Sequence, residues 1–114
     1  DFQALKDYVD KWELLHPIFT MLTPFPGTDF YETVKEQVKD RSYELFDFAH
    51  VILPTKMPKK EFYEEFVGLF RHAYSFRRGF KYRKQRKAFG LSLKQIQVGR
   101  QFFGQLKRLQ REAL

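Results

Sequence analysis

Three histidines are the side chains best suited to acid–base or metal chemistry, and they lie far apart, at His16, His50 and His72. None has a carboxylate or a second histidine at a usual metal-ligand spacing. The chain contains no cysteine, which excludes disulfides, Cys-ligated zinc and an iron–sulfur cluster held by this chain. The sequence also contains no recognisable pattern of a nucleophile with its general base. The sequence therefore predicts no catalytic residue and no metal ligand, and we expect no complete reaction from this chain alone.

A second group of chemically suggestive residues is a basic tract over residues 74–89, YSFRRGFKYRKQRKAF. Nucleic-acid-binding proteins use such mixtures, because cations neutralise phosphates and rings stack on bases. Membrane-surface segments use them too, with rings at the interface and cations on anionic headgroups. The simplest interpretation is a solvated basic face whose aromatic side chains pack on neighbouring helices, with the membrane second and nucleic acid third. The cations are Arg77, Arg78, Lys81, Arg83, Lys84, Arg86 and Lys87.

Charge is divided unevenly along the 114 residues. Residues 1–65 have a net charge of −5, whereas residues 66–114 have +12. Such asymmetry is typical of a surface that meets anions. Apolar runs are too short for a membrane span, and we expect no signal peptide, since the first residues carry neither a basic nor an apolar leader region. Because the chain opens directly in a helical pattern at Asp1, we expect a piece of a larger protein.

The elements that would position these residues are mainly helical, with four or five helices and one or two short strands. Apolar residues at three- and four-residue spacing predict the helices, and short β-branched apolar runs predict the strands. Helices are expected over residues 1–14, 30–40, 58–76 and from Ser92 to about 112, and strands over 18–23 and 49–53.

Local signals set the expected boundaries of these elements. His16-Pro17 should end the first helix, since the residue before proline leaves the helical region. Asp29 with Glu32 predicts a capping box for the second helix, and Ser92 with Gln95 predicts one for the last. Pro58 suits the first position of a helix. Gly79 is expected to interrupt the helical pattern, and residues 80–89 favour neither helix nor loop.

Two motifs carry a resemblance to a known family. Residues 16–28 read HPIFTMLTPFPGT, which is similar to the last barrel strand of cobalamin-binding radical S-adenosylmethionine enzymes. Residues 44–58 read ELFDFAHVILPTKMP and are followed by Phe62-Tyr63; this segment resembles the region after the barrel in the hopanoid C-3 methylase group. The resemblance covers about residues 1–76 and fades beyond Gly79.

The resemblance implies an architecture and a set of cofactors. Residues 1–41 would form the last helix–strand–helix of an α/β barrel, and residues 42–114 a C-terminal helical region. The parent would bind S-adenosylmethionine, a [4Fe–4S] cluster and cobalamin, and would methylate a hydrophobic, hopanoid-like substrate. The cysteine loop of that family has no counterpart here. This chain would thus be a non-catalytic segment that binds none of these cofactors alone.

The resemblance also implies candidate site residues, because barrel enzymes place their sites at the C-terminal ends of strands. The cofactor-side candidates at the barrel mouth are Thr23, Pro24, Pro26, Gly27 and Thr28, next to Leu22. The alternative is that Pro-x-Pro-Gly-Thr is simply a good strand-to-helix turn. His50 and Lys56 are the substrate-side candidates, against a histidine satisfied within the core and a solvated lysine.

The family resemblance and the basic tract each predict partners for this chain. The first partner is the N-terminal remainder of the parent chain. A severed strand over 18–23 could also pair with residues 49–53 or across a homodimer. The parent would be cytoplasmic and able to dock peripherally on anionic lipid through the basic tract. The alternative function is a stand-alone basic helical module that binds anionic membrane or nucleic acid, with nucleic acid the weaker option.

Overall fold

A computed structural model describes residues 2–88 and 93–112 of the chain, and this part is mainly helical. Two 3₁₀ turns, Lys35–Gln37 and Tyr43–Leu45, lie in the long connection between the second and third helices. The α-helices are α1 (Phe2–Lys11), α2 (Asp29–Val34), α3 (Lys59–Ala73), α4 (Phe76–Lys81), α5 (Arg83–Ala88) and α6 (Leu93–Glu112). The described residues thus contain more helices than the sequence predicts.

Helix α3 organises the core, because it packs against α1 on one side and α6 on another. Its apolar residues recur at three- and four-residue intervals, so one stripe of the helix is buried. Met21 and Leu106 reach this stripe from the extended segment and from α6. The buried members of α3 are Tyr63, Phe66, Val67, Leu69, Phe70 and Ala73.

Helix α1 ends at Lys11, earlier than the His16-Pro17 signal predicts. Glu13 adopts a left-handed conformation with φ of 51°. The Leu14 amide then donates to the Val9 carbonyl at 3.0 Å, and the Glu13 amide donates to the Asp10 carbonyl at 3.2 Å. These two bonds are those of a Schellman motif, which satisfies the last carbonyls of a helix. A backbone closure, and not the proline, therefore stops this helix.

The predicted strands over 18–23 and 49–53 are not formed in the described part of the chain. Residues 18–23 are extended and alternate as a strand would: Phe19, Met21 and Thr23 face inward, while the intervening side chains are exposed. One backbone bond, from the Met21 amide to the Phe48 carbonyl at 2.7 Å, joins this segment to the region of the second predicted strand. Because a strand needs a continuous ladder with a neighbour, the extended segment alone does not make a sheet.

Thr28 caps the N-terminus of α2, so the capping box predicted for Asp29 and Glu32 is wrong. The Thr28 hydroxyl accepts from the Tyr31 amide at 3.2 Å and donates to the Phe25 carbonyl at 2.7 Å. Gly27 takes φ of +88°, a conformation that side-chain-bearing residues rarely adopt. Helix α2 ends at Val34 and continues only as a 3₁₀ turn, so it is shorter than predicted.

The third predicted helix divides at Ser75. Helix α3 ends at Ala73, and the Ser75 hydroxyl accepts from the Arg78 amide at 3.4 Å to begin α4. The predicted interruption at Gly79 is wrong, since Gly79 lies inside α4. Residues 80–88, for which the sequence favours neither helix nor loop, are largely helical in α4 and α5.

The last helix is described from Leu93 to Glu112, where the described residues end, so the predicted helix in this region is confirmed. Its predicted cap, Ser92, lies outside the described residues. The division into residues 1–41 and 42–114 and the barrel context both stay predictions.

Candidate functional site

An open groove with a volume of about 960 Å³ lies beside the extended segment. Its size falls within the range of about 300–1,000 Å³ that small-molecule sites occupy. The start of α1, the extended segment, the loop over residues 51–57 and the first turns of α3 form its walls. The lining residues are Phe2, Gln3, Met21, Leu22, Val51, Ile52, Leu53, Pro54, Thr55, Lys56, Met57, Glu61, Phe62, Glu64 and Glu65.

The loop over residues 51–57 is held in place by two hydrogen bonds. The Val51 amide donates to the Tyr63 hydroxyl of α3 at 2.9 Å, and the Thr55 hydroxyl donates to the Met57 carbonyl at 2.5 Å. Burial raises the pKa of Tyr63 further above its ordinary value of about 10. Pro54 and Pro58 fix φ on both sides of the Thr55 bond. The loop therefore forms a wall of the groove, and these bonds fix its position.

A turn centred on Asp47 fixes the chain that enters this loop. The Asp47 carboxylate accepts from the amides of Ala49 and His50 at 2.9 and 3.0 Å, and its other oxygen lies 2.8 Å from the His50 ring nitrogen Nδ1. Phe48 adopts φ of 63° and presents its carbonyl to Met21. Sequence reasoning missed the Asp47–His50 pair.

The pKa of Asp47 gives a pH prediction. Burial opposes ionisation of this carboxyl, but hydrogen bonds from Ala49 and His50 outweigh it and hold the pKa below its ordinary value. A lowered folded-state pKa stabilises the fold above the unfolded-state value of about 3.9, and that contribution disappears as pH falls through the folded-state pKa. We expect Asp47→Asn to lower the free energy of unfolding at pH 7 and to flatten its fall below pH 4.

Urea unfolding of the wild type and of Asp47→Asn between pH 2.5 and 7 measures this difference. The control is Glu44→Gln, which removes an exposed carboxylate three residues earlier in the chain. This control should follow the pH curve of the wild type. Parallel pH curves for the wild type and Asp47→Asn would contradict the assignment.

Of the five predicted barrel-mouth residues, two are buried and three are exposed. Thr23 and Pro24 are buried, and the Thr23 hydroxyl donates to the Met21 carbonyl at 3.1 Å. Pro26 and Gly27 are exposed at the turn, where Thr28 caps α2. The groove is lined by the neighbouring Leu22 and not by these five residues. Their cofactor-side role stays a prediction.

The two substrate-side candidates lie in different surroundings. Lys56 lines the groove, whereas His50 is paired with Asp47 at the start of the loop. Both roles stay predictions. Sequence patterns missed the α1 and α3 walls, although Glu61, Glu64 and Glu65 recur at helical spacing and could have indicated one acidic face.

The chemistry of the groove is that of binding and orientation. Most of its lining residues are apolar, Met21, Leu22 and Leu53 among them, and we call this apolar part the floor. Glutamates of α3 line the groove together with Lys56. Glu65 is partly neutralised by Lys6 at 3.4 Å. Among residues 2–88 and 93–112, no cluster of three or more His, Asp or Glu side chains could hold a metal ion. The groove suits an apolar body with polar groups at its edge.

Comparisons with known proteins link the chain to methyltransferases. Bacteriochlorophyllide d C-12(1)-methyltransferase of Chlorobaculum tepidum is 34% identical over 74 residues, which cover 64% of this chain and 16% of that protein. Hopanoid C-3 methylase of Methylococcus capsulatus is 49% identical over 45 residues, which cover 40% of this chain and 9% of that protein. The chain thus matches less than a fifth of either relative's length. No family model and no solved structure matches it.

Proposed function

We propose that this chain is the C-terminal segment of a cobalamin-dependent radical S-adenosylmethionine methyltransferase that acts on a large apolar substrate. Similarity to a methylase and a methyltransferase whose names specify two different substrates is the observation that carries the proposal. Both names denote large polycyclic molecules, a hopanoid and a bacteriochlorophyllide. The groove along Leu22 and the loop over 51–57 has the volume and the apolar floor for part of such a molecule.

The role of this segment is structural and substrate-side. Because it has no cysteine, the ligands of a [4Fe–4S] cluster do not come from this chain. Radical and methyl-transfer chemistry belongs to the cofactors, while protein residues supply position and shielding. Lys56 and the α3 carboxylates would orient polar edges of the substrate, and the apolar floor would keep water away from it.

The exposure of the extended segment over residues 18–23 supports the proposal that this chain belongs to a larger protein. Ile18 and Leu22 are 80% and 70% exposed, although both are large apolar residues in a strand-like conformation. Exposed apolar side chains on an extended backbone without a ladder are what remains when a strand lacks its neighbours. We infer that an upstream part of the parent packs against Ile18, while Leu22 borders the groove.

The class is tested on the complete gene product. We expect a Cys-x3-Cys-x2-Cys loop upstream of Asp1, and anaerobically reconstituted protein should contain iron and sulfide and cleave S-adenosylmethionine to 5′-deoxyadenosine. A native product that starts near Asp1, or one that carries no cluster, would end the proposal. A small basic binding domain would then be the better account.

The groove is tested by placing a charge on its floor. We expect Leu22→Glu to weaken binding of a bacteriochlorophyllide by tenfold or more, about 1.4 kcal/mol, because the bound ligand would then cover a carboxylate where it now covers an apolar side chain. Absorbance titration measures the affinity, with a hopanoid as competitor. The control is Tyr43→Glu, which changes a residue 86% exposed and outside the groove. Equal affinities of the two variants would remove the groove from the proposed site.

A further inference from the structure

The outer face of α4 and the start of α5 form an unusual surface. Phe76 is 92% exposed and Phe80 is 63% exposed. Four positions separate them, so both rings lie on the same side of the helix. Exposed cations surround the rings. These residues define the aromatic–basic surface: Phe76, Arg77, Phe80, Lys81, Arg83 and Lys84.

The opposite face of α4 explains why the rings point outward. Arg78 is 7% exposed and Tyr82 is 3% exposed, so these two residues are buried. Arg78 pairs with the Asp10 carboxylate of α1. It therefore does not belong to the surface, although it is one of the cations of the basic tract. Side chains of Arg86 and Lys87 lie outside what the structure describes.

The surface has no acidic neighbours in sequence, because residues 66–111 contain neither Asp nor Glu. The Arg83 guanidinium stacks 4.4 Å from the centre of the Phe80 ring, and its Nη1 donates to the Phe80 carbonyl at 3.1 Å. This contact holds a cation beside an exposed apolar ring. Two unburied phenyl rings in one patch indicate an interaction site, since monomeric proteins rarely leave such groups clustered in water.

We propose that the aromatic–basic surface docks on the anionic face of a lipid bilayer. Phe76 and Phe80 would enter the interface, while Arg77, Lys81 and Arg83 would lie at the level of the phosphate groups. Phenyl rings have no hydrogen-bonding groups, so their transfer from water into the lipid interface lowers the free energy. Within the described residues, every helix is too short or too polar to cross a bilayer.

A bilayer fits this surface better than a nucleic acid. The two rings project from a short helix beside exposed cations and are themselves 92% and 63% exposed. Single-stranded nucleic acid is usually bound in a charged groove that follows its backbone. Insertion of two apolar side chains into the interface needs no groove. The proposal is independent of the methyl-transfer chemistry.

Vesicle sedimentation tests the proposal on the 114-residue chain. The probes are vesicles of phosphatidylcholine alone and of phosphatidylcholine with about 30% phosphatidylglycerol, at about 50 and 500 mM salt, since screening weakens contacts with anionic headgroups. We expect binding only to the anionic vesicles and at least a tenfold loss of affinity at high salt. Phe76→Ser with Phe80→Ser should weaken binding at least tenfold with no change of net charge. Arg77→Gln with Lys81→Gln should weaken it at least tenfold as well.

Matched controls separate docking from unfolding and from general charge. Lys59→Gln with Lys60→Gln removes the same charge from an exposed site elsewhere, and should reduce affinity less than threefold. Circular dichroism should show the same melting temperature for all variants. Absence of binding to anionic vesicles overturns the proposal. So does equal loss in the control pair, or a salt-sensitive gel shift with RNA or DNA that exceeds the vesicle affinity.

Discussion

Phe70→Ala should lower the free energy of unfolding by about 3–5 kcal/mol, which is a large part of the total for a domain of this size. Phe70 is 2% exposed and lies at the centre of the core. Its ring makes edge-on contacts with Phe19, Phe66 and Phe102 at centroid distances of 5.1, 5.4 and 5.1 Å. Truncation would leave a cavity where the extended segment, α3 and α6 meet.

Urea denaturation followed by circular dichroism measures the change. Phe76→Ala is the matched control, because it removes the same atoms from a ring that is 92% exposed. An exposed substitution of this kind should stay within about 0.5 kcal/mol of the wild type. A loss below about 1 kcal/mol for Phe70→Ala would mean that this ring does not hold the three elements together.

The sequence predicted the amphipathic helices well, because their information is local. Apolar residues at three- and four-residue intervals predicted a helix over 58–76, and α3 runs from Lys59 to Ala73. The same pattern located α1 and α6. A helix makes its hydrogen bonds within its own segment, so a short stretch of sequence contains most of what decides it.

The prediction of the two strands was wrong because the information that decides a strand is not local. Residues 18–23 have the composition of a buried strand and adopt its extended, alternating form. A ladder also needs a neighbouring chain, and the local sequence says nothing about whether that neighbour is present. The prediction of the cap of α2 was wrong by one residue. Thr28 and Asp29 are both good capping residues, and the backbone geometry at Thr28 decides which of them caps the helix.

The candidate site was predictable only in part. The motif segments contributed Leu22 and Lys56 to the groove, but its other walls come from Phe2 in α1 and from the Glu61 face of α3. Such contacts join residues about 20 to 60 positions apart, and periodicity within one element does not reveal them. The basic tract shows the same limit, because nothing in YSFRRGFKYRKQRKAF marks Arg78 as the cation that turns inward.

Arg78 joins separate parts of the backbone and is the second position where we expect a large effect. Its guanidinium pairs with the Asp10 carboxylate and donates to the carbonyls of Leu14 and Ala73 at 2.7 and 3.2 Å. The Leu14 carbonyl lies at the Schellman closure of α1, so Arg78 fixes the end of that helix against the start of α4. His72 approaches the other oxygen of Asp10 at 2.8 Å.

Arg78→Met should lower the free energy of unfolding by about 2–4 kcal/mol, because it preserves the apolar stem but removes charged donors from two carbonyls. Asp10 is about half exposed, so water screens the ion pair and the carbonyl bonds account for most of the loss. Arg78→Lys should recover less than half of it, since an ammonium cannot reproduce the planar fork. Arg77→Met, an exposed neighbour on the same helix, is the control and should stay near the wild type. If Arg78→Met and Arg77→Met have the same stability in urea titrations, the inward-facing guanidinium does not fasten α1 to α4.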